Sequence, residues 1–202
     1  MEVSIRAATS ADLDVLYDIC LRTGDAGHDA SGRYSDATLL GSIYVGPYVV
    51  LAEGFGFVAV DDHGVGGYVL GTLDTRMFEA ACEERWWPAL RARHADPGPS
   101  PSTPDDELRA FLHRPATAPD DVVADYPAHL HIDLYPRIQG IGVGRRLIER
   151  MLDRLADGGA TGVHLGVGLS NVRAIGFYER LGFVPLIDVG GARFLGRVVT
   201  RA

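Results

Sequence analysis

Residues 129–155, HLHIDLYPRIQGIGVGRRLIERMLDRL, contain the features that decide the fold. Polar and apolar side chains alternate from His129 to Leu134, which is the period of a β-strand with two different faces. Apolar residues then recur at helical spacing from Leu147 to Leu155, and three glycines lie between the two patterns. The stretch therefore predicts a strand, a glycine-rich turn and an amphipathic helix.

The turn itself, QGIGVGR at residues 139–145, has the composition of a phosphate-binding loop. Glycines allow backbone N–H groups to turn towards one point, and the positive end of the following helix faces the same point. Arg145 and Arg146 lie in the first helical turn, where a cation opposes the helix dipole unless an anion is near. We expect an anion site there, although a glycine-rich connector with no ligand would have the same composition.

Two common phosphate motifs do not fit the turn. The dinucleotide motif GxGxxG fails because Arg145 or Leu147 stands at the third glycine position. A Walker A loop needs a lysine, and the chain contains none. The pattern (Gln/Arg)xxGx(Gly/Ala) does fit, with Gln139, Gly142 and Gly144.

This pattern is the pyrophosphate signature of the GCN5-related N-acetyltransferase (GNAT) superfamily, which the chain resembles. A second stretch, NVRAIGFYERLGF at residues 171–183, is similar to the superfamily segment NxxAxxFYxxxGF and follows in the right order. The resemblance implies a single acetyltransferase domain over residues 1–202. It implies the GNAT fold, of the α/β class (α+β, mixed sheet), with about seven strands flanked by helices. A proline-rich insertion, about residues 75–128, would lie between strands 3 and 4.

The resemblance also implies acetyl-CoA as cosubstrate and positions for its contacts. Backbone amides of Leu134 and Tyr135 would hold the thioester and pantetheine, and Asn171 would contact the pantetheine arm. Tyr178 would protonate the departing thiolate as general acid, unless it is only a packed aromatic residue. An amine would attack the thioester directly, with backbone N–H groups stabilising the oxyanion. The pyrophosphate would contact the turn, which comprises Gln139, Gly140, Ile141, Gly142, Val143, Gly144 and Arg145.

The general base is less constrained, because the superfamily uses different residues for it. His129, His131 and Asp133 lie on one face of the predicted strand, where they could relay a proton, form an ion pair or bind a metal. Since nothing else completes a metal site, we predict none. Asp133 is the first candidate for the base, and Asp74 and Asp25 are acceptor-pocket alternatives.

Segments outside the coenzyme motifs are similar to a narrower family, the acetyltransferase-like domain at the C-terminal end of eukaryotic O-GlcNAcase. They are ICLRTGDAG at 19–27, GYVLGTLD at 67–74, WWP at 86–88, AFLH at 110–113 and ID at 132–133. This resemblance supports the fold and a pocket made by Asp25, Asp74 and Asp133. The eukaryotic domain is regarded as a pseudo-acetyltransferase with a degraded coenzyme loop, whereas this chain keeps the loop glycines and Tyr178. A non-catalytic module that binds a peptide or protein, with or without CoA, is the alternative function.

Composition limits the partners. With 19 basic and 27 acidic residues the chain carries a net charge of −8, and no stretch is densely basic, so nucleic acid and anionic membranes are not expected. No basic leader and no run of about 20 apolar residues is present, so we expect a cytoplasmic protein with no membrane span. The acceptor would be a small-molecule amine, cationic in character, or a peptide amine. Exposed strand edges would allow a homodimer.

The remaining sequence alternates strand and helix patterns. Strands are predicted at 3–7, 48–53, 55–60, 65–73, 162–167, 183–187 and 192–199, and helices from Thr9, at 77–90, 105–112 and 171–181. The proline-rich segment 94–127 is either a surface excursion or a lid. Trp86 and Trp87 either line an acceptor cleft or anchor the insertion to the core.

Overall fold

The computed structural model describes residues 2–200, which fold around one seven-stranded mixed sheet. The strand order is β1-β2-β3-β4-β5-β7-β6, and only β4 and β5 pair in parallel. The strands are β1 Ser4–Ala7, β2 Gly54–Asp61, β3 Gly64–Thr72, β4 Ala128–Leu134, β5 Gly162–Gly168, β6 Val184–Val189 and β7 Ala192–Val198. The predicted mixed sheet of seven strands is confirmed.

Nine α-helices cover the sheet within the described residues. They are α1 Leu13–Thr23, α2 Leu39–Tyr44, α3 Gly46–Val50, α4 Thr75–Ala81, α5 Trp87–Arg91, α6 Pro104–His113, α7 Asp120–Asp125, α8 Val143–Asp157 and α9 Val172–Arg180. A π-helical turn, Cys82–Trp86, joins α4 to α5. No helix between residues 2 and 200 has the length and apolar character that a membrane crossing requires.

Two apolar layers bury the two faces of the sheet. Tyr68 and Leu70 of β3 point into one layer, with α1 to α6, whereas their neighbour Val69 points into the other layer. This alternation follows from the two-residue period of a strand. The second layer packs the sheet against α8 and α9, and its fully buried members include Leu147 and Met151. Strand β4 lies between the layers, so its polar face points towards the side of α1 to α6.

The parallel pair at the centre of the sheet is short. Strands β4 and β5 pair only at Ala128↔Val163 and His129↔His164. Beyond these pairs the two strands separate, while β4 continues to pair with β3 as far as Leu134 and β5 continues to pair with β7. The separation leaves a cleft in the middle of the sheet that opens towards the glycine-rich turn.

The insertion between β3 and β4 forms α4 to α7 and packs against the domain. Helix α6 begins after Thr103, whose hydroxyl oxygen accepts from the Asp106 N–H at 3.1 Å, and it buries Leu108 and Leu112. The Asp105 carboxylate accepts hydrogen bonds from the Ser35 N–H at 3.0 Å and the neighbouring Asp36 N–H at 3.2 Å. These contacts tie the insertion to the loop between α1 and α2.

One predicted strand is wrong. Residues 48–53 were expected to be extended, but helix α3 occupies Gly46–Val50 and a turn follows it. Pro47 suits the first turn of a helix, and Tyr48 stacks on Phe78 with ring centroids 4.3 Å apart. The β-branched residues Val49 and Val50 favour a strand in the local sequence. The packing that favours a helix involves α4, which is far along the chain and invisible to a local pattern.

Candidate active site

The glycine-rich turn presents a row of backbone donors at the start of α8. Gly140 and Gly142 have φ angles of 75° and 84°, a region in which L side chains are strained, and no atom lies within 4 Å of where their Cβ atoms would be. Within residues 2–200, none of the six N–H groups from Gly140 to Arg145 donates to an acceptor. The row lies at the positive end of a 15-residue helix, so the turn fits an anion.

The side chains of the turn hold its shape. Gln139 donates from Nε2 to the Leu134 carbonyl oxygen at 2.7 Å, and Val143 is buried. Arg145 pairs with Glu149 across one helical turn at 2.7 Å, and Arg146 donates to the Val3 carbonyl at 2.9 Å. The two arginines, which the sequence suggested would face an anion, thus have protein partners in this structure. The Arg145 side chain is 69% exposed, and such exposed pairs are weak, so a phosphate can compete for it.

The cleft between β4 and β5 exposes further donors. The Tyr135 N–H donates to the Gly66 carbonyl at 2.8 Å, so this amide is already used within the sheet. Successive residues of a strand point their N–H groups to opposite sides, so those of Ile132 and Leu134 point towards β5. They lie beyond the last β4–β5 pair and have no strand partner on that side. Of the two amides implied by the resemblance, only that of Leu134 faces the cleft, and Ile132 joins it.

Helix α9 places Tyr178 beside the cleft. Its side chain is 8% exposed, and burial together with the nearby negative charge of Asp133 raises the pKa of the phenol well above its ordinary value. Tyr178 is therefore protonated at neutral pH, and its hydroxyl makes no hydrogen bond with residues 2–200. Asn171 caps the helix by accepting from the Ala174 N–H at 3.1 Å. The helix also brings Phe177 close to Gly144, where an added Cβ would lie 3.2 Å from the Phe177 ring.

A compact polar cluster lies on the other face of β4. His131 Nε2 lies 2.9 Å from Asp133 Oδ2, and the buried Tyr68 hydroxyl donates to the same oxygen at 2.7 Å. Tyr68 comes from β3, where it is the cross-strand partner of Asp133. Since Tyr68 gives its proton to Asp133, the neutral His131 ring donates from Nε2 and keeps Nδ1 as its proton acceptor.

Cys20 is the fourth member of this cluster. Ligand atoms of Cys20, His131 and Asp133 lie within 4.8 Å of one another, a spacing that a metal ion could use. Burial and the charge of Asp133 raise the pKa of the Cys20 thiol far above its ordinary value, so the thiol stays protonated. The Asp133 carboxylate accepts from Tyr68 and lies against His131, so the side chains of the cluster are joined by hydrogen bonds in this structure.

His129 belongs to a separate network whose proton positions are determined. The Thr75 hydroxyl donates to the Pro127 carbonyl at 2.7 Å, so at 2.9 Å its oxygen accepts from His129 Nδ1. His129 Nε2 then accepts from the Tyr48 hydroxyl at 2.8 Å. Burial, and the neighbouring His164 and His131, lower the pKa of His129 from 6.5 to about 3. His129 is thus neutral, and both of its nitrogens are engaged.

A cavity of about 470 Å³ opens at the root of the cleft. His129, His131 and His164 of the two central strands form its floor, and Phe194 of β7 lies beside them. The other walls include Trp87, which the sequence analysis singled out, and residues that it did not, namely Tyr44, Tyr48, Phe78, Phe111 and the segment Pro115–Ala118. Trp87 lines this cavity, while Trp86 donates to the Ser42 carbonyl at 2.8 Å and anchors the insertion.

The three acidic residues expected to share an acceptor pocket are not brought together. Asp25 pairs with Arg33 at 2.5 Å, and Asp74 caps α4 by accepting from the Met77 N–H at 2.9 Å. Neither lines the cavity, and Asp133 lies behind His131 rather than in the wall. These contacts do not join the three carboxylates, and a pocket shared by Asp25, Asp74 and Asp133 stays a prediction. Local motifs could not reveal that the first two carboxylates have structural partners.

A mixed sheet that opens between its parallel strands, with a helix N-terminus and unpaired amides at the opening, defines a class of coenzyme-binding acyl-transfer domains. The model of the acetyltransferase (GNAT) family matches residues 103–183. The crystal structure of a protein called SsHAT superposes with a TM-score of 0.90 at 38% identity, covering 100% of both chains. The chain belongs to the acetyltransferase (GNAT) family.

Two curated relatives match the chain over different lengths. Protein O-GlcNAcase of Rattus norvegicus is 25% identical over 190 residues, which cover 93% of this chain but 21% of the relative. The chain thus spans about a fifth of that protein's length. The [ribosomal protein bS18]-alanine N-acetyltransferase of Salmonella typhimurium is 38% identical over 81 residues, covering 40% of this chain and 51% of the relative. The similarity to the O-GlcNAcase sequence expected from the segments outside the coenzyme motifs is confirmed.

Proposed function

We propose that this protein is an acetyl-CoA-dependent N-acetyltransferase in which an amine attacks the thioester directly. The observation that carries the proposal is the row of unpartnered N–H groups from Gly140 to Arg145, at the end of a cleft lined by the amides of Ile132 and Leu134. Membership of the acetyltransferase (GNAT) family supports the choice of coenzyme.

The coenzyme would follow the cleft from the turn to the cavity. Its pyrophosphate would accept hydrogen bonds from the turn, with Arg145 exchanging Glu149 for a phosphate oxygen. The pantetheine would run beside β4 and pair with the backbone of Ile132 and Leu134, as a missing strand would. Asn171, whose Oδ1 caps α9, would keep its side-chain NH₂ for the pantetheine arm. This path would bring the acetyl group to the root of the cleft, next to the cavity.

His131 would be the base, with Asp133 as its positioning residue. The His131 ring lines the cavity, and its Nδ1 is the unprotonated nitrogen. It would take one proton from the attacking amine while Asp133 stabilises the imidazolium that forms. His131 and Asp133 would thus share the base role that was predicted for Asp133 alone, because the Asp133 carboxylate does not line the cavity wall.

Tyr178 would be the acid. As the amine nitrogen bonds to the thioester carbon, an oxyanion forms and would be held by backbone N–H groups of the cleft. The carbon–sulfur bond then breaks, and the sulfur leaves as a thiolate that accepts the Tyr178 proton. Burial keeps that proton on the phenol until the thiolate forms, and the hydroxyl has no competing partner among residues 2–200. The products are an amide and free CoA.

Two measurements test the proposal. Isothermal titration calorimetry with acetyl-CoA should show one site per chain, and desulfo-CoA should compete for it. Acetyl-CoA incubated with protein and a mixture of primary amines should give acetylated product by mass spectrometry. A lack of acetyl-CoA binding would show that the coenzyme assignment is wrong. Binding without product from any amine would favour the non-catalytic binding module.

A further inference from the structure

The cavity beside the cleft is walled mainly by aromatic rings. Tyr44 and Phe111 have ring centroids 5.8 Å apart, and Trp87 meets Phe111 edge to face at 6.3 Å. Tyr48 and Phe78 are stacked at 4.3 Å and form the next part of the wall. A volume of about 470 Å³ lies in the range of small-molecule pockets, which are typically apolar with a few polar groups.

The charges in the wall are already compensated. Its carboxylates are those of Glu79 and Glu83. Glu79 accepts from Arg76 at 2.6 Å and from the Ala118 N–H at 3.0 Å, and Glu83 accepts from Arg91 at 2.8 Å.

The histidines of the wall cannot neutralise a cationic ligand, because an imidazole carries either no charge or a positive charge. His129 is neutral at physiological pH, and burial lowers the pKa of His164. Within the described residues the wall therefore offers no unpaired negative charge, and a ligand with a second cationic group would leave that group uncompensated.

The far wall of the cavity comes from the insertion. The segment Pro115–Ala118 is held at its end by Arg76, which donates from Nη2 to the Ala118 carbonyl at 2.8 Å. Arg76 also pairs with Asp120. Arg76 and Glu79 of α4 thus hold both the carbonyl and the N–H of Ala118. The insertion, rather than the coenzyme motifs, sets the size and polarity of this end of the cavity.

We propose that the acceptor is a small primary amine attached to an uncharged aromatic body, as in an arylalkylamine. The inference rests on the proposed function, because it assumes that the cavity receives the attacking amine. The aromatic body would lie between the rings of Phe111, Tyr44 and Phe78, and the amine would point towards His131. An amine in this apolar site is more easily deprotonated than in water. Polyamines would be excluded because their further charges find no partner.

A panel of amines tests the acceptor class. The kcat/KM for 2-phenylethylamine and tryptamine should exceed that for putrescine and spermidine by at least about tenfold, with acetylated product measured by mass spectrometry. A peptide with an N-terminal alanine would be included as a third class of acceptor. Equal or better use of polyamines or of the peptide overturns the acceptor class and leaves the proposed acetyl transfer standing.

A pair of variants at the rim gives a matched control. Thr117 is exposed at the cavity mouth, so Thr117→Asp adds one carboxylate there, while Thr117→Asn has the same shape without the charge. The Asp variant should raise kcat/KM for putrescine relative to 2-phenylethylamine by about tenfold, and the Asn variant should not. An unchanged preference in the Asp variant would show that the acceptor does not occupy this cavity.

A binding measurement separates the two proposals. Calorimetry with 2-phenylethylamine in the presence of saturating CoA should show binding that Phe111→Ala weakens, whether or not product forms. Acetyl-CoA binding with no arylalkylamine binding overturns the acceptor class alone. If a long-chain acyl-CoA binds more tightly than acetyl-CoA and Phe111→Ala removes that difference, the cavity holds the acyl chain instead, and the acceptor class is overturned as well.

Discussion

His131 Nε2 lies 2.9 Å from Asp133 Oδ2, and this carboxylate oxygen also accepts the proton of Tyr68 at 2.7 Å. Two donors on one oxygen fix the carboxylate, and the carboxylate fixes the histidine ring. The His131 imidazole that lines the cavity is therefore held in one tautomer, with the proton on Nε2. A lone histidine on a strand could not have its proton-accepting nitrogen assigned in this way.

Replacing Asp133 with Asn should lower turnover by a factor on the order of 10², because the imidazolium loses its counter-charge. The acidic limb of the kcat/KM profile should change as well, because the carboxylate charge next to the base is lost. Tyr68→Phe is the control, because it removes one hydrogen bond and keeps the carboxylate, and its pH profile should stay near the wild type. Steady-state kinetics from pH 5 to 9 check both variants. Equal loss of turnover in the two with no movement of the limb would indicate a purely structural role.

Gly142→Asp should abolish acetyl-CoA binding. Gly142 has a φ of 84° and faces open space, so the new carboxylate would point to where the pyrophosphate is expected. Gly64→Asp is a matched control, because Gly64 has a φ of 97°, equally open surroundings, and a position at the first residue of β3, next to the β2–β3 turn. Both substitutions should cost about 1–2 kcal/mol of stability from the left-handed backbone. Calorimetry should show lost affinity in the first variant only, and unchanged affinity in it would move the pyrophosphate elsewhere.

Tyr178→Phe should lower kcat at least about tenfold with little change in the dissociation constant of acetyl-CoA. The hydroxyl has no hydrogen-bond partner between residues 2 and 200, so its removal should leave the packing around Phe183 intact. Thermal unfolding should confirm this. A thioester analogue with a more acidic leaving thiol should restore part of the rate, because its sulfur needs less help from an acid. Unchanged kcat would remove Tyr178 from the mechanism.

The coenzyme part of the site could be predicted from the sequence, whereas the acceptor part could not. Gly142 has a backbone conformation that only glycine adopts easily. The turn can therefore be recognised from the residue types at the seven positions 139–145. Tyr68 and Asp133, in contrast, are 65 residues apart and meet through the β3–β4 register. Alternation along β3 places Tyr68 on the same face as Leu70. Knowledge of the β3–β4 register would then have placed Tyr68 opposite Asp133. Phe78 and Phe111 lie on insertion helices whose packing no local pattern specifies.

Arg76→Gln should release the cavity wall without affecting the coenzyme. Arg76 joins Glu79, the Ala118 carbonyl and Asp120, so its loss leaves the segment 115–118 with the Ala118 N–H to Glu79 as its remaining anchor on α4. Hydrogen exchange should accelerate in that segment, and the KM of the amine should rise while acetyl-CoA affinity stays constant. Arg114→Gln is the control, because Arg114 pairs with Asp96 elsewhere in the insertion. Equal effects from both would mean that the insertion responds as a whole.

The half-buried His129 should make the domain sensitive to acid. Burial lowers its pKa to about 3 in the folded state, against 6.5 for the ordinary group, so below pH 6.5 the unfolded chain binds a proton that the folded chain does not. The stabilisation is complete above pH 6.5 and is lost as the pH falls towards 3, at up to about 1.4 kcal/mol per pH unit.

His129→Gln keeps polar partners for Thr75 and Tyr48 but cannot titrate in this range. Its stability should therefore change less between pH 6.5 and pH 5 than that of the wild type, by up to about 2 kcal/mol. His63→Gln, at an exposed position in the β2–β3 turn, should follow the wild-type curve. Urea unfolding at a series of pH values measures all three. Parallel curves for wild type and His129→Gln would show that the pKa of His129 is the same in the folded and the unfolded chain, which would contradict its lowering by the protein.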